Sequence, residues 1–316
     1  MKKKLILKQR IKLILSIFLV IIVSYTTITI FKNYQNNNYN FFIPTFNESY
    51  NEQSRKLEEL HYSSEEIQII ISKSSEKNIN YLVENKINKT PVIKLFKEPY
   101  YIDNYLEQYI SYYNENQDKE IKDIIAIINS HSLNTNTEKT DISKKQFTIL
   151  NKYYNIDSSY PNEDELVTID SKYHINKSET KIKKITYDAF LKMYEAAPQD
   201  SKFYISSAYR SYNTQEALYN YELSKNPNAD NTTAKAGHSE HQTGYSIDID
   251  TPNTWLTENA HKYGFILRYP ENKEYITGYT HNKNHYRYCG IECATYIYEN
   301  NITYEEYYEY FIKNSN

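Results

Sequence analysis

Apolar residues follow three regimes along the chain. From Leu13 to Phe31 they dominate a run of 19 residues without a charge. From Glu48 to about Ile128 they recur at helical steps, as in Leu57, Leu60, Ile67, Ile70 and Ile71. Ser63 followed by Glu66 predicts a capping box at the start of a helix through Ile71. Pro91 and Pro99 divide this region into short helices. The stretch Asn134–Asp141 is polar and reads as a domain boundary.

Beyond that boundary, helical and alternating patterns mix. Strands are expected at Leu166–Ile169, Phe203–Ser206, Tyr245–Asp250, Phe265–Tyr269 and His285–Tyr288. Helices are expected at Ile185–Ala197, Asn213–Leu223 and Trp255–Tyr263, the last ended by Gly264. Tyr245–Asp250 alternates strictly, so Ser246, Asp248 and Asp250 share its polar face. Without a regular strand–helix–strand repeat, the fold class is α+β.

The uncharged run changes the picture of the whole chain. As a helix, at about 1.5 Å per residue, it would span roughly 28 Å, close to a hydrocarbon core. Lys2, Lys3, Lys4, Lys8, Arg10 and Lys12 precede it, which orients the N-terminus to the cytoplasm and the rest outside. A cleaved signal peptide is the rival, but its apolar core is shorter and ends at small residues; no Ala occurs before Ala126. The expected organisation is therefore a tail and membrane anchor over 1–32, a linker over 33–47, a helical stem over 48–140 and a C-terminal domain over 141–316.

Composition narrows the chemistry. A net charge of −3 argues against nucleic acid as partner. Two cysteines, Cys289 and Cys293, cannot build a four-cysteine zinc site and read as small buried hydrophobes. All five glycines and five of the eight histidines lie in the last 80 residues, where chemistry is expected. His61 and His131 stand apart and read as ordinary surface or core histidines. His241 precedes Asp248 by seven residues, with Gly244 between them to allow a turn, and His285 opens a later strand. Two imidazoles and one carboxylate, with a fourth position open, make a catalytic zinc composition.

Several ordered motifs surround these residues. They are Ser206-Ser207-Ala208-Tyr209-Arg210-Ser211, then Gly237-His238-Ser239-Glu240-His241-Gln242-Thr243-Gly244-Tyr245-Ser246-Ile247-Asp248. Tyr263-Gly264-Phe265-Ile266-Leu267-Arg268-Tyr269-Pro270, Ile276-Thr277-Gly278-Tyr279 and His285-Tyr286-Arg287-Tyr288 follow. Together they resemble the VanY-type zinc D-alanyl-D-alanine carboxypeptidases of bacterial cell walls, over roughly Ile142–Phe311. The resemblance implies an antiparallel sheet with flanking helices and one Zn2+ held by His241, Asp248 and His285. It implies that Arg210 grips the substrate, a task suited to a guanidinium fork on a carboxylate. Ser239 and Gln215 are further candidates for substrate contact. Structural pairing is the reading for Arg268 and Arg287, and a supporting role for Glu240 and Asp250.

One motif departs from the pattern. The family places Glu-Pro-Trp before the last ligand, and its Glu is the general base. Here Asn282-Lys283-Asn284 precedes His285, so Asn282 holds the position of the base. An amide cannot accept a proton at neutral pH. His281 is the candidate substitute. The expected activity is zinc-dependent hydrolysis of the terminal D-Ala-D-Ala bond of peptidoglycan stem peptides, at the cell surface and bound to the membrane. The alternatives are an impaired relative that binds cell-wall peptides, or a peptidoglycan endopeptidase.

Overall fold

A computed structural model describes residues 48–315, except Asn162, Lys177 and Glu179. The expected anchor over Leu13–Phe31 and the linker lie outside the described residues. Among the described residues no helix is long and apolar enough to cross a membrane. The chain divides into two compact units, the break falling between Ser72 and Lys73.

The first unit shows helices α1 (Glu48–Glu59) and α2 (Ser64–Lys73). The capping box ahead of α2 is formed: Ser63 N–H donates to Glu66 Oε2 at 2.8 Å, and Glu66 N–H donates to Ser63 Oγ at 3.3 Å. These bonds satisfy two amides that a helix start leaves without partners.

The second unit begins with α3 (Glu76–Glu84), α4 (Lys89–Lys97), α5 (Leu106–Glu115) and α6 (Ile121–Asn129). Pro91 lies in the first turn of α4 behind an Asn88 cap, so it helps to start a helix rather than break one. Pro99 follows the end of α4. The helices of 76–129 belong to the same compact unit as the C-terminal residues. Tyr100 stacks on Tyr310 at 3.9 Å between ring centroids and shares a 2.8 Å hydrogen bond with Tyr296. Ala126 and Ile127 pack on Ile276. The polar segment at 134–141 is itself used: β1 (Glu138–Lys139) pairs in parallel with β2 (Tyr154–Asn155). His131 is not isolated, since its ring lies 4.6 Å from that of Tyr153 and its Nε2 is 3.1 Å from Lys313 Nζ.

Next, β3 (Leu166–Thr168) and β4 (Lys181–Lys183) form an antiparallel pair, followed by α7 (Lys184–Ala196). The main sheet is built from β5 (Ile205–Ser207), β6 (Ser246–Ile249), β7 (Phe265–Tyr269) and β8 (Asn282–Tyr288). Its order is β5-β6-β8-β7, antiparallel throughout, as an α+β domain requires. Helices α8 (Tyr212–Lys225), α9 (Thr254–Asn259), α10 (Ile291–Asn300) and α11 (Tyr304–Tyr307) also belong to this unit, with a single helical turn at Glu274–Thr277.

Strand alternation sorts the side chains of this sheet. Ile247, Ile249, Phe265 and Tyr286 face a core with Phe190, Met193 and Leu256. Each fully buried side chain of this size contributes about 1.5–3 kcal/mol. The intervening positions, Ser246, Asp248, His285 and Arg287, lie on the other face. Cys289 and Cys293 are free, buried and part of a second core with Ile266 and Tyr304.

Candidate metal centre

Register brings the candidate ligands together. Asp248 on β6 is paired directly with His285 on β8, and Ser207 on β5 is paired with Asp248 from the other side. Side chains at such opposed positions on one face start about 5 Å apart. His241 arrives from a 3₁₀ turn, Glu240–Thr243, just before β6. Gly244 closes that turn with φ +71, and a Cβ there would meet Lys183 Cγ at 2.9 Å. Only glycine takes this left-handed, crowded position without strain. The turn doubles His241 back over the strand that carries Asp248.

One ligand atom from each of His241, Asp248 and His285 lies within 4.8 Å of the others. His241 Nε2 is 3.1 Å from Asp248 Oδ2, and His285 Nδ1 is 2.9 Å from Asp248 Oδ1. The outward nitrogen of His241, Nδ1, meets the Ala208 carbonyl at 2.6 Å. Two imidazoles and a carboxylate converging on one point, two of the three side chains almost wholly buried, fit a single divalent zinc-type cation. His285 sits within β8, three residues past its start, because the strand begins at Asn282.

Charge is unevenly distributed around this point. Burial pushes the Asp248 carboxyl up, but the adjacent His241 and His285 outweigh it and hold the group far below the usual range. Burial also pushes His241 down, past what Asp248 restores, leaving it neutral and fit to ligate. His285 moves up despite burial, because Asp248 and Glu240 both favour its proton. Glu240, fully buried, is held well below its ordinary value by Arg268 and Arg287 against the cost of burial.

Arg210 follows β5 and stands beside the triad. Its backbone N–H donates to the His241 carbonyl at 3.1 Å. Nη1 donates to Gln215 Oε1 at 2.8 Å and Nη2 to Ser207 Oγ at 2.9 Å. Gln215 was a candidate for substrate contact, but its amide is spent: Oε1 accepts from Arg210 and Nε2 donates to the Ala234 carbonyl at 2.6 Å. At 1% exposure it positions the arginine. Ser239 is buried at the start of the His241 turn, where its carbonyl accepts from Gln242 N–H. Asp250 does not support the triad; its Oδ1 accepts from Tyr204 N–H at 2.9 Å, tying β5 to β6.

The mouth of the site is different. Asn282 is exposed, and its Oδ1 accepts from Asn284 N–H at 3.0 Å, capping its own turn. His281, the candidate substitute base, has Nδ1 on the Tyr269 carbonyl at 2.8 Å and Nε2 3.8 Å from Glu271. Its Nδ1 is thus engaged away from the triad, and its Nε2 lies on the side of Glu271. It lines a surface cavity with Pro252, Thr257 and Tyr286, and Tyr286 faces the core side of the sheet.

Two contributors escaped the sequence reading. Ser207 lies in the Arg210 motif but was given no role there, and Glu305 carries no motif, although Arg268 and Arg287 in buried strands demand carboxylate partners. Arg268 donates through Nε to Glu240 at 2.9 Å and through Nη1 and Nη2 to Glu305 at 2.9 and 2.5 Å. Counting carboxylates near the arginine strands was the available signal.

Residues 179–291 match the VanY family, D-alanyl-D-alanine carboxypeptidase. The Bacillus subtilis (strain 168) protein YodJ is 35% identical over 181 residues, covering 51% of this chain and 66% of its own length. The D-alanyl-D-alanine carboxypeptidase of Enterococcus faecium is 39% identical over 119 residues, covering 35% and 37%. The chain thus spans less than two thirds of these relatives. A solved structure of the LdcB LD-carboxypeptidase is 34% identical with a TM-score of 0.50, covering 55% of this chain and 90% of that one.

Proposed function

The chain belongs to the VanY family of D-alanyl-D-alanine carboxypeptidases, and from that premise we propose that it is a zinc-dependent hydrolase of the terminal D-Ala-D-Ala bond in peptidoglycan stem peptides. The observation that carries the reading is the convergence of His241, Asp248 and His285 within 4.8 Å. Zinc bound there would supply Lewis-acid activation of the scissile carbonyl and of water. Arg210, held by Ser207 and Gln215, presents its fork to the substrate carboxylate. Asp248 stays ionised and the His241 ring stays neutral, so both can ligate at neutral pH.

The cationic flank and uncharged run at 13–31 support a membrane-bound protein whose C-terminal domain works outside the cell. Asn282 favours a second reading, a binder of wall peptides with little turnover. Its amide cannot take a proton, and a general base contributes about 100- to 10,000-fold.

The full chain should carry near one equivalent of zinc, measured by elemental analysis, and His241→Ala should carry none. D-Ala release from a synthetic pentapeptide should be slow and abolished by a chelator. A tetrapeptide ending in an L-D bond is offered alongside, given the LD-carboxypeptidase relative. Absence of zinc at neutral pH, or unchanged zinc in His241→Ala, would overturn the metal assignment. Turnover that survives zinc removal would overturn the mechanism.

A further inference from the structure

We infer that Glu240 is a positioning residue that holds the outer nitrogen of His285, and that Glu305 in turn holds Glu240 through Arg268. The two histidines of the triad are turned opposite ways. His241 directs Nε2 at Asp248 and gives Nδ1 to a backbone carbonyl. His285 directs Nδ1 at Asp248 and turns Nε2 inward. A neutral imidazole carries one proton, so a ligating Nδ1 requires that proton on Nε2, facing an acceptor.

The His285 Nε2 is buried and, among the described residues, has no hydrogen-bond partner in range. The acceptor nearest to hand is Glu240 Oε2, at 3.7 Å. The other oxygen of this carboxylate is fully committed: Oε1 takes Arg268 Nε at 2.9 Å and Arg287 Nη1 at 3.4 Å. That leaves Oε2 to Ser246 Oγ, at 3.4 Å, and to the imidazole. Arg268 cannot drift, because Glu305 on α11 grips both its terminal nitrogens. Two carboxylates and two guanidiniums balance, so the network adds no net charge beneath a divalent ion. A purely structural ion pair would need no free oxygen aimed at His285. A small contraction of 3.7 Å on ligation completes the hydrogen bond.

The inference rests on the zinc reading, and the test separates the two. Zinc alone is titrated into the full chain against a chromophoric chelator. Glu240→Gln should weaken binding about 10- to 100-fold, the usual cost of losing an outer partner of a metal-bound histidine. Glu305→Gln should weaken it in the same direction, by less. If Glu240→Gln does not fold, the charge-balanced pair Glu240→Gln with Arg287→Met serves, with the same loss expected. Unchanged zinc affinity in a folded variant overturns the inference.

The second arm reads the zinc-loaded chain. Nitrogen-15 spectra of the loaded wild type should show the His285 proton on Nε2, and Glu240→Gln should move that signal toward a weaker hydrogen bond. A His285 that ligates through Nε2, or an Nε2 signal that Glu240→Gln leaves unmoved, overturns the inference. Absence of zinc from the wild type overturns the functional reading and the positioning role with it, whereas zinc held equally by wild type and Glu240→Gln overturns the positioning role alone.

Discussion

His285 has two sides of opposite character. Behind it, Glu240, Arg268, Arg287 and Glu305 form a charge network whose members are at most 1% exposed, every one of them paired. In front of it, Asn282 is exposed and spends its side-chain oxygen on the Asn284 amide. The rear is what a metal ligand needs to stay in place. The front is where the proposed hydrolysis would need a proton acceptor, and Asn282 brings an amide. In the function we propose, holding the metal and moving the proton would thus fall to separate segments of the chain.

The sharpest way to break this contrast is to rebuild the front. Asn282→Glu should raise hydrolysis by up to about 100-fold while leaving zinc affinity within about twofold. His281→Ala should change neither, since the ring is tied to the Tyr269 carbonyl and turned toward Glu271. Brisk wild-type turnover that His281→Ala abolishes would show that the front already holds a base, and the contrast would collapse.

A smaller effect is expected at the flank. Arg210→Lys should lower turnover, or peptide affinity, by about tenfold, because an ammonium cannot make both bonds of the fork. Zinc content should not change. Equal kinetics in the two proteins would remove Arg210 from the substrate.

The smallest effect sharpens the rear. Glu240 is ionised in the fold well below its ordinary range. Its contribution to stability is therefore full above about pH 4.3 and is lost as pH falls toward the depressed value. The gap in thermal midpoint between wild type and Glu240→Gln should be constant near neutrality and narrow on acidification below about pH 4.3. A gap that stays constant into acid would mean that the carboxylate is not what the arginines stabilise.

Much of this arrangement was legible in the residues. The alternation of Tyr245–Asp250 separates Ile247 from Asp248, and the structure puts the first in the core and the second at the ligand point. Phe265–Tyr269 is a strand with those bounds, because aromatic and branched residues fill it. What stayed hidden has physical causes. The start of β8 at Asn282 is polar, Asn-Lys-Asn, and nothing in it alternates. The pairing of Glu138–Lys139 with Tyr154–Asn155 is two residues long and exposed on β1, so only the partner strand specifies it. Glu305 lies in a run of tyrosines and glutamates, where the Thr303–Glu306 capping box is readable but the inward turn of one glutamate is not.

At the bulge by the mouth, between the paired positions, β7 advances from Leu267 to Tyr269 while β8 advances from Tyr286 back to Asn282. A bulge is where a strand takes up extra residues while the ladder on either side of it is kept. The segment between Asn282 and His285 can therefore change its residues and its length, whereas the paired positions Asp248–His285 and Ser246–Arg287 hold the register that brings the triad together.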